Sequence, residues 1–135
     1  MIKADNQNLR RYAVFPITQE TKNLEEFARD YLKKGGKIIV NTQEIDPMPV
    51  IIGAAEYPAD LVNKMKNAGA DVDAIDALSL ANEAGSSKAV NIVLMGRLSK
   101  YFDATEDAWM EALEACVPPK FLELNKKAFM LGRNA

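Results

Sequence analysis

Four consecutive residues, Gly85-Ser86-Ser87-Lys88, come closest to a ligand-binding motif. They open a helix, where free backbone N–H groups and the helix dipole favour an anion such as a phosphate or a carboxylate. Ser86, Ser87 and Lys88 would be its contacts. The plainer reading is a serine N-cap after a glycine break. It is the preferred one, because P-loop spacing is missing and no GxGxxG occurs. Asp76 is the second candidate. It ends a short strand just before a helix, where open α/β sheets bind ligands. A carboxylate there serves equally well as a helix cap. Asp71, Asp73 and Asp76 lie close together but do not match a calcium loop. Glu25/Glu26 and Glu106/Asp107 read as solvated first turns of helices rather than catalytic pairs.

Two features of composition exclude whole classes of chemistry. The sequence has no histidine, so histidine acid–base work, Ser-His triads and histidine metal sites cannot be built from it. It has one cysteine, Cys116. One thiol cannot hold an iron–sulfur cluster, a structural zinc or an internal disulfide. Cys116 falls near a helix C-terminus, where the dipole opposes a thiolate, and it reads as a small core residue. No catalytic residue and no metal ligand emerges from the residues themselves.

The elements that must position these residues are organised around Ser86–Phe102. From Ala89 to Leu98 that stretch is apolar on nearly every side, which predicts a helix buried all round. It is too short to span a bilayer. Gly96 weakens a helix interior, so its expected role is close approach to a neighbouring helix or strand. Asn91 sits in the same apolar surround. A buried amide must find partners, and Asn91 is expected to clamp this helix to an adjacent loop rather than to touch a ligand.

Upstream, residues 1–11 read as a polar arm and Tyr12–Phe15 as a short strand. Leu24–Lys34 carries apolar residues at 24, 27, 28, 31 and 32, the period of one buried helix face. Gly35 is its natural left-handed terminator. Lys37–Asn41 follows as a strand, and its run of β-branched residues predicts cover on both faces. Thr42–Pro49 reads as a loop and Val50–Gly53 as a further strand, antiparallel to the last if the two pair directly. A helix over Ala59–Ala68 ends at Gly69, a strand covers Ala70–Ile75, and a helix covers Ala77–Ala84. After Phe102, Thr105 caps a helix whose first turn holds Glu106 and Asp107. Pro118-Pro119 stops it, and Pro119 starts a last helix running to about Leu131. On that helix Phe121, Leu122, Asn125, Ala128, Phe129 and Gly132 share a face. Strands early and helices late predict an α/β fold: a small mixed, partly parallel sheet flanked by helices, with a helical C-terminal cluster.

The 135 residues suit a single domain, 1–135, large enough for a real core. Apolar content of 48% and charged content of 27% are those of soluble globular chains. A formal net charge of −2 gives no electrostatic argument for nucleic acid or an anionic membrane. No apolar run is long enough to span a membrane, and MIKADNQNLRR lacks a signal-peptide core, so the expected location is cytoplasmic.

Two C-terminal signatures carry a family resemblance. One is Asp76-Ala77, Leu80-Ala81, Gly85-Ser86 and Asn91-Ile92-Val93-Leu94-Met95-Gly96. The other is Lys120-Phe121, Asn125, Lys127-Ala128-Phe129 and Gly132. An upstream run, Tyr31-Leu32 to Val40-Asn41-Thr42-Gln43, then Asp46-Pro47 and Tyr57-Pro58, belongs with them. In this order and spacing they resemble the gamma-type subunit of 2-oxoacid:ferredoxin oxidoreductases, especially the indolepyruvate branch, whose small subunit is called beta.

The resemblance implies a supporting role. Such enzymes decarboxylate a 2-oxoacid on thiamine diphosphate, oxidise the intermediate through iron–sulfur clusters, pass the acyl group to coenzyme A and reduce ferredoxin. Larger subunits carry the cofactors, and a gamma-type domain packs against them. Asn91, Gly96, Asn125 and Phe129 would then be structural or subunit-contact residues. The family domain normally begins with a strand leading into a Gly-Gly-Gln-Gly turn, followed by a segment rich in glycine, serine and arginine; neither that strand–turn unit nor that segment is present. The resemblance therefore implies the carboxyl-terminal portion of a Rossmann-like domain, with an incomplete sheet that a partner covers. Two rivals stand beside it. Tyr31–Val40 also resembles the late helix–turn–strand of S-adenosylmethionine-dependent methyltransferases, but the glycine-rich cofactor loop of that class is missing. The other is an assembly or binding module with no part in redox chemistry.

Overall fold

The computed structural model describes residues 10–15, 32–44, 48–54, 56 and 59–135. The protein is mixed α/β. Its elements run β1 (Arg10–Phe15), β2 (Leu32–Asn41), α1 (Met48–Ile51), α2 (Leu61–Asn67), β3 (Asp71–Ile75), α3 (Ala77–Ala84), α4 (Val90–Ser99), α5 (Glu106–Cys116) and α6 (Pro119–Asn134). Contacts divide the chain into two compact units, Met1–Ala74 and Ile75–Ala135.

In the first unit the sheet order is β1-β2-β3. β1 and β2 are parallel, as expected of a partly parallel sheet, with Ala13 opposite Ile38 and Phe15 opposite Val40. Ile38, Ile39 and Val40 are all buried to within 1% of full burial. Successive strand residues face opposite sides, so β2 is covered on both faces, as its β-branched run predicts. Ile38 and Val40 pack with Met65 of α2, and Leu61, Ala70 and Val72 close around them. Lys37 and Asp71 form an ion pair at the surface of the same unit.

Three expectations fail here. Arg10 and Arg11 belong to β1, not to a polar arm. The helix expected to end at Lys34 gives way to β2 already at Leu32, while Leu24–Tyr31 lies outside the described residues. Gly35 is left-handed (φ 73°) as expected, but it sits within the strand. There it absorbs a register shift: β1 advances from Arg10 to Tyr12 while β2 advances from Leu32 to Lys37. Finally, Val50–Gly53 is not a strand. Met48–Ile51 is a short helix, closed by N–H bonds from Gly53 to the Val50 carbonyl (3.0 Å) and from Ala54 to the Pro49 carbonyl (2.8 Å). These are the 5→2 and 6→1 bonds of a Schellman ending, which needs the left-handed Gly53 (φ 73°). Local turn closure outweighs the weak strand preference of Val50, Ile51 and Ile52, and Ile51 and Ile52 are left about two-thirds exposed (65% and 67%).

The second unit is helical. α3 and α5 follow the sequence closely: Asp76 and Thr105 are their N-caps, and Gly85 ends α3. α6 starts on Pro119 as expected and runs three residues past Leu131. α4 is preceded by a single 3₁₀ turn, Ser87–Ala89.

α4 and α6 meet backbone to backbone. A Cβ added to Gly96 would lie 2.0 Å from the Phe129 carbonyl oxygen, and one added to Gly132 would lie 1.9 Å from that of Val93. Residue 96 faces 129 while 132 faces 93, so the two helices run antiparallel. Val93 and Phe129 are fully buried on either side of the contact. Gly96 thus provides the close approach its position implies.

A helical glycine in open space gains about 1 kcal/mol of stability on replacement by alanine. Here the added methyl meets a carbonyl oxygen, and overpacking of this kind costs about 1–3 kcal/mol or more. Gly132→Ala is therefore expected to lower the unfolding free energy measured in urea by about 2 kcal/mol. A gain in stability would contradict the backbone contact.

Candidate functional site

The residues that sequence reasoning selects all lie in the helical unit or at its start. Asp76 acts as a cap. Its carboxylate accepts the Ser79 backbone N–H (3.0 Å) and the Ser79 hydroxyl (2.6 Å). The hydroxyl bond first, then the backbone bonds, hold the carboxyl below its ordinary value, against an opposing desolvation. The carboxylate is thus engaged by its own helix.

Gly85–Lys88 does not open α4 directly. Gly85 is left-handed (φ 119°), and Ser86 caps the 3₁₀ turn by accepting the Lys88 N–H on its hydroxyl oxygen (3.3 Å). The hydroxyl thereby occupies a donor that an anion would use. Ser87 and Lys88 are exposed. The serine-cap reading describes this corner.

Asn91 is a correction. It is exposed rather than buried, and Met95, one turn on, is 40% exposed. The side of α4 that holds Val93 and Gly96 packs against α6, and Leu94 and Ser99 are buried with them. Position 91 then faces out. The expected all-round burial of this helix fails for the same reason, and Phe102 beyond its end is 44% exposed. Asn125 donates to the Phe121 carbonyl (2.8 Å), a bond within α6 itself, so it braces its own helix and does not tie two elements together. Cys116 is also exposed, not core. Leu113 is the only buried residue of α5 among those described, and the last turn extends past it.

Phe129 is a core residue. It lies under Gly96, fully buried, with its ring 5.6 Å from that of Trp109. Phe102 meets Trp109 edge-on at 6.3 Å. The indole Nε1 is buried without an acceptor among the described residues.

Several contacts were not singled out from sequence. Ser99, fully buried, donates its hydroxyl to the Gly96 carbonyl and accepts from Arg133 Nη1, both at 2.6 Å. Arg97 donates to the Ala135 carbonyl. Lys127 donates to the Glu83 carbonyl (2.7 Å) at the end of α3, where a cation complements the dipole. Lys126 pairs with Glu114 across α5 and α6 (2.6 Å), and that bond raises the lysine pKa. The available signal was a serine three residues after the glycine, the spacing of a hydroxyl that back-bonds along a helix. At the carboxyl end of β2, buried Asn41 accepts the Gln43 N–H (3.2 Å) and holds the turn that leaves the strand.

Among the described residues no group of three or more acidic, cysteine or histidine side chains could hold a metal ion. With a single cysteine, the sequence also does not fit an iron–sulfur cluster. No described helix is long and apolar enough to cross a membrane. The arrangement is that of a packed helical unit with capped ends.

Comparison with known proteins places this arrangement. The family described as pyruvate ferredoxin/flavodoxin oxidoreductase matches residues 5–135. The chain belongs to that family. The indolepyruvate oxidoreductase subunit IorB of Thermococcus kodakarensis is 40% identical over 111 residues, 78% of this chain and 55% of that protein. IorB of Pyrococcus horikoshii is 36% identical over 111 residues, with the same shares. IorB of Archaeoglobus fulgidus is 31% identical over 108 residues, 77% of this chain and 54% of that protein. The chain thus spans about half the length of these curated relatives. The crystal structure of a keto/oxoacid ferredoxin oxidoreductase gamma subunit from Geobacter sulfurreducens PCA has the same fold, with a TM-score of 0.61 at 24% identity over 90% of this chain and 62% of that one. The resemblance read from Asp76–Gly96 and Lys120–Gly132 is borne out, and the methyltransferase reading falls away.

Two measurements follow from the site geometry. Asn91→Ala should change stability by less than about 0.5 kcal/mol, as for an exposed residue; a loss of more than about 2 kcal/mol in urea unfolding would restore the clamp. Asp76→Ala should cost about 1 kcal/mol at neutral pH. Because the folded state holds this carboxyl below its ordinary value, the stabilisation is complete above about pH 4 and is lost as pH falls through the folded value. The wild-type advantage should therefore shrink as pH falls below about 4; an advantage undiminished in strong acid, once the carboxyl is protonated, would contradict the charged cap.

Proposed function

We propose that this chain is part of the small, gamma-type subunit of a thiamine-dependent 2-oxoacid:ferredoxin oxidoreductase acting on indolepyruvate or a related arylpyruvate. The single observation that carries this reading is the 40% identity over 111 residues to a protein named as an indolepyruvate oxidoreductase subunit. In the proposed complex the 2-oxoacid is oxidatively decarboxylated to an acyl-CoA while ferredoxin is reduced. This chain supplies scaffold and subunit contacts, and a larger subunit carries thiamine diphosphate and the iron–sulfur clusters. The absence of histidine and the lone, exposed Cys116 suit that division. The exposed apolar side chains Met95, Phe102 and Phe121 suit a unit that packs against another polypeptide. The proposed setting is cytoplasmic, without nucleic acid or membrane.

Anaerobic affinity purification of the tagged chain from its native lysate tests the proposal. The expected result is co-purification of a larger polypeptide that contains thiamine diphosphate and shows iron–sulfur absorbance. Recovery with partners that lack both would favour the assembly module instead. Oxoacid turnover by the isolated chain would contradict the scaffold role.

A further inference from the structure

We draw no further inference here: the strongest candidate, the outward face of α4 and the turn after it, where Met95 and Phe102 are exposed beside half-buried Leu98, is an exposed apolar surface, and nothing in the structure shows what covers it.

Discussion

The helical unit depends on two glycines that let two backbones touch. Gly96 and Gly132 stand at reciprocal positions of an antiparallel helix pair, each against the carbonyl of the residue three before the other. No side chain fits between the helices at either point. What the contact gains is not the glycine itself, which costs helix stability. It gains the burial of Val93, Leu94, Ala128 and Phe129 around it, each large apolar side chain contributing about 1.5–3 kcal/mol. The rest of the unit extends from this seam. Arg133 reaches Ser99, whose hydroxyl in turn bonds Gly96. Trp109 rests on Phe129 and brings α5 with it. Lys127 holds the end of α3.

The first unit uses a different device. β2 is buried on both faces, and Met65 of α2 seals one of them. A strand so covered must satisfy its polar exits locally, and Asn41 does so by bonding Gln43 as the chain leaves the sheet. Polar residues here serve to start and stop elements. The same holds for Asp76, Ser86 and Thr105 in the helical unit. In both units these side chains are engaged by the backbone next to them, which fixes where each element begins or ends.

Much of this is legible in the sequence because local chemistry decides it. Thr105, Pro119, Asp76 and Gly85 mark helix ends by side-chain and φ requirements that neighbours do not alter. The role of Gly96 is legible because a glycine inside an apolar helix needs a packing reason. Other features depend on geometry that composition does not encode. Val50, Ile51 and Ile52 have the residue types of a strand, yet Gly53 closes them into a turn of helix. The apolar run around Asn91 reveals burial but not phase. The contact with α6 through Val93 and Gly96 decides which side faces in, and it leaves Asn91 and Met95 at the surface. Ser99 and Arg133 escape notice because they are distant in sequence and meet only once the glycines bring their helices together.

If the glycine seam carries the helical unit, α4 and α6 cannot open separately. Native-state hydrogen exchange measures this directly. The amides of Val93–Arg97 and Phe129–Arg133 should exchange with one common opening free energy, equal to that of unfolding the whole unit. Exchange of the α6 amides through a much smaller opening, with those of α4 still protected, would show that the seam is not what holds the two together.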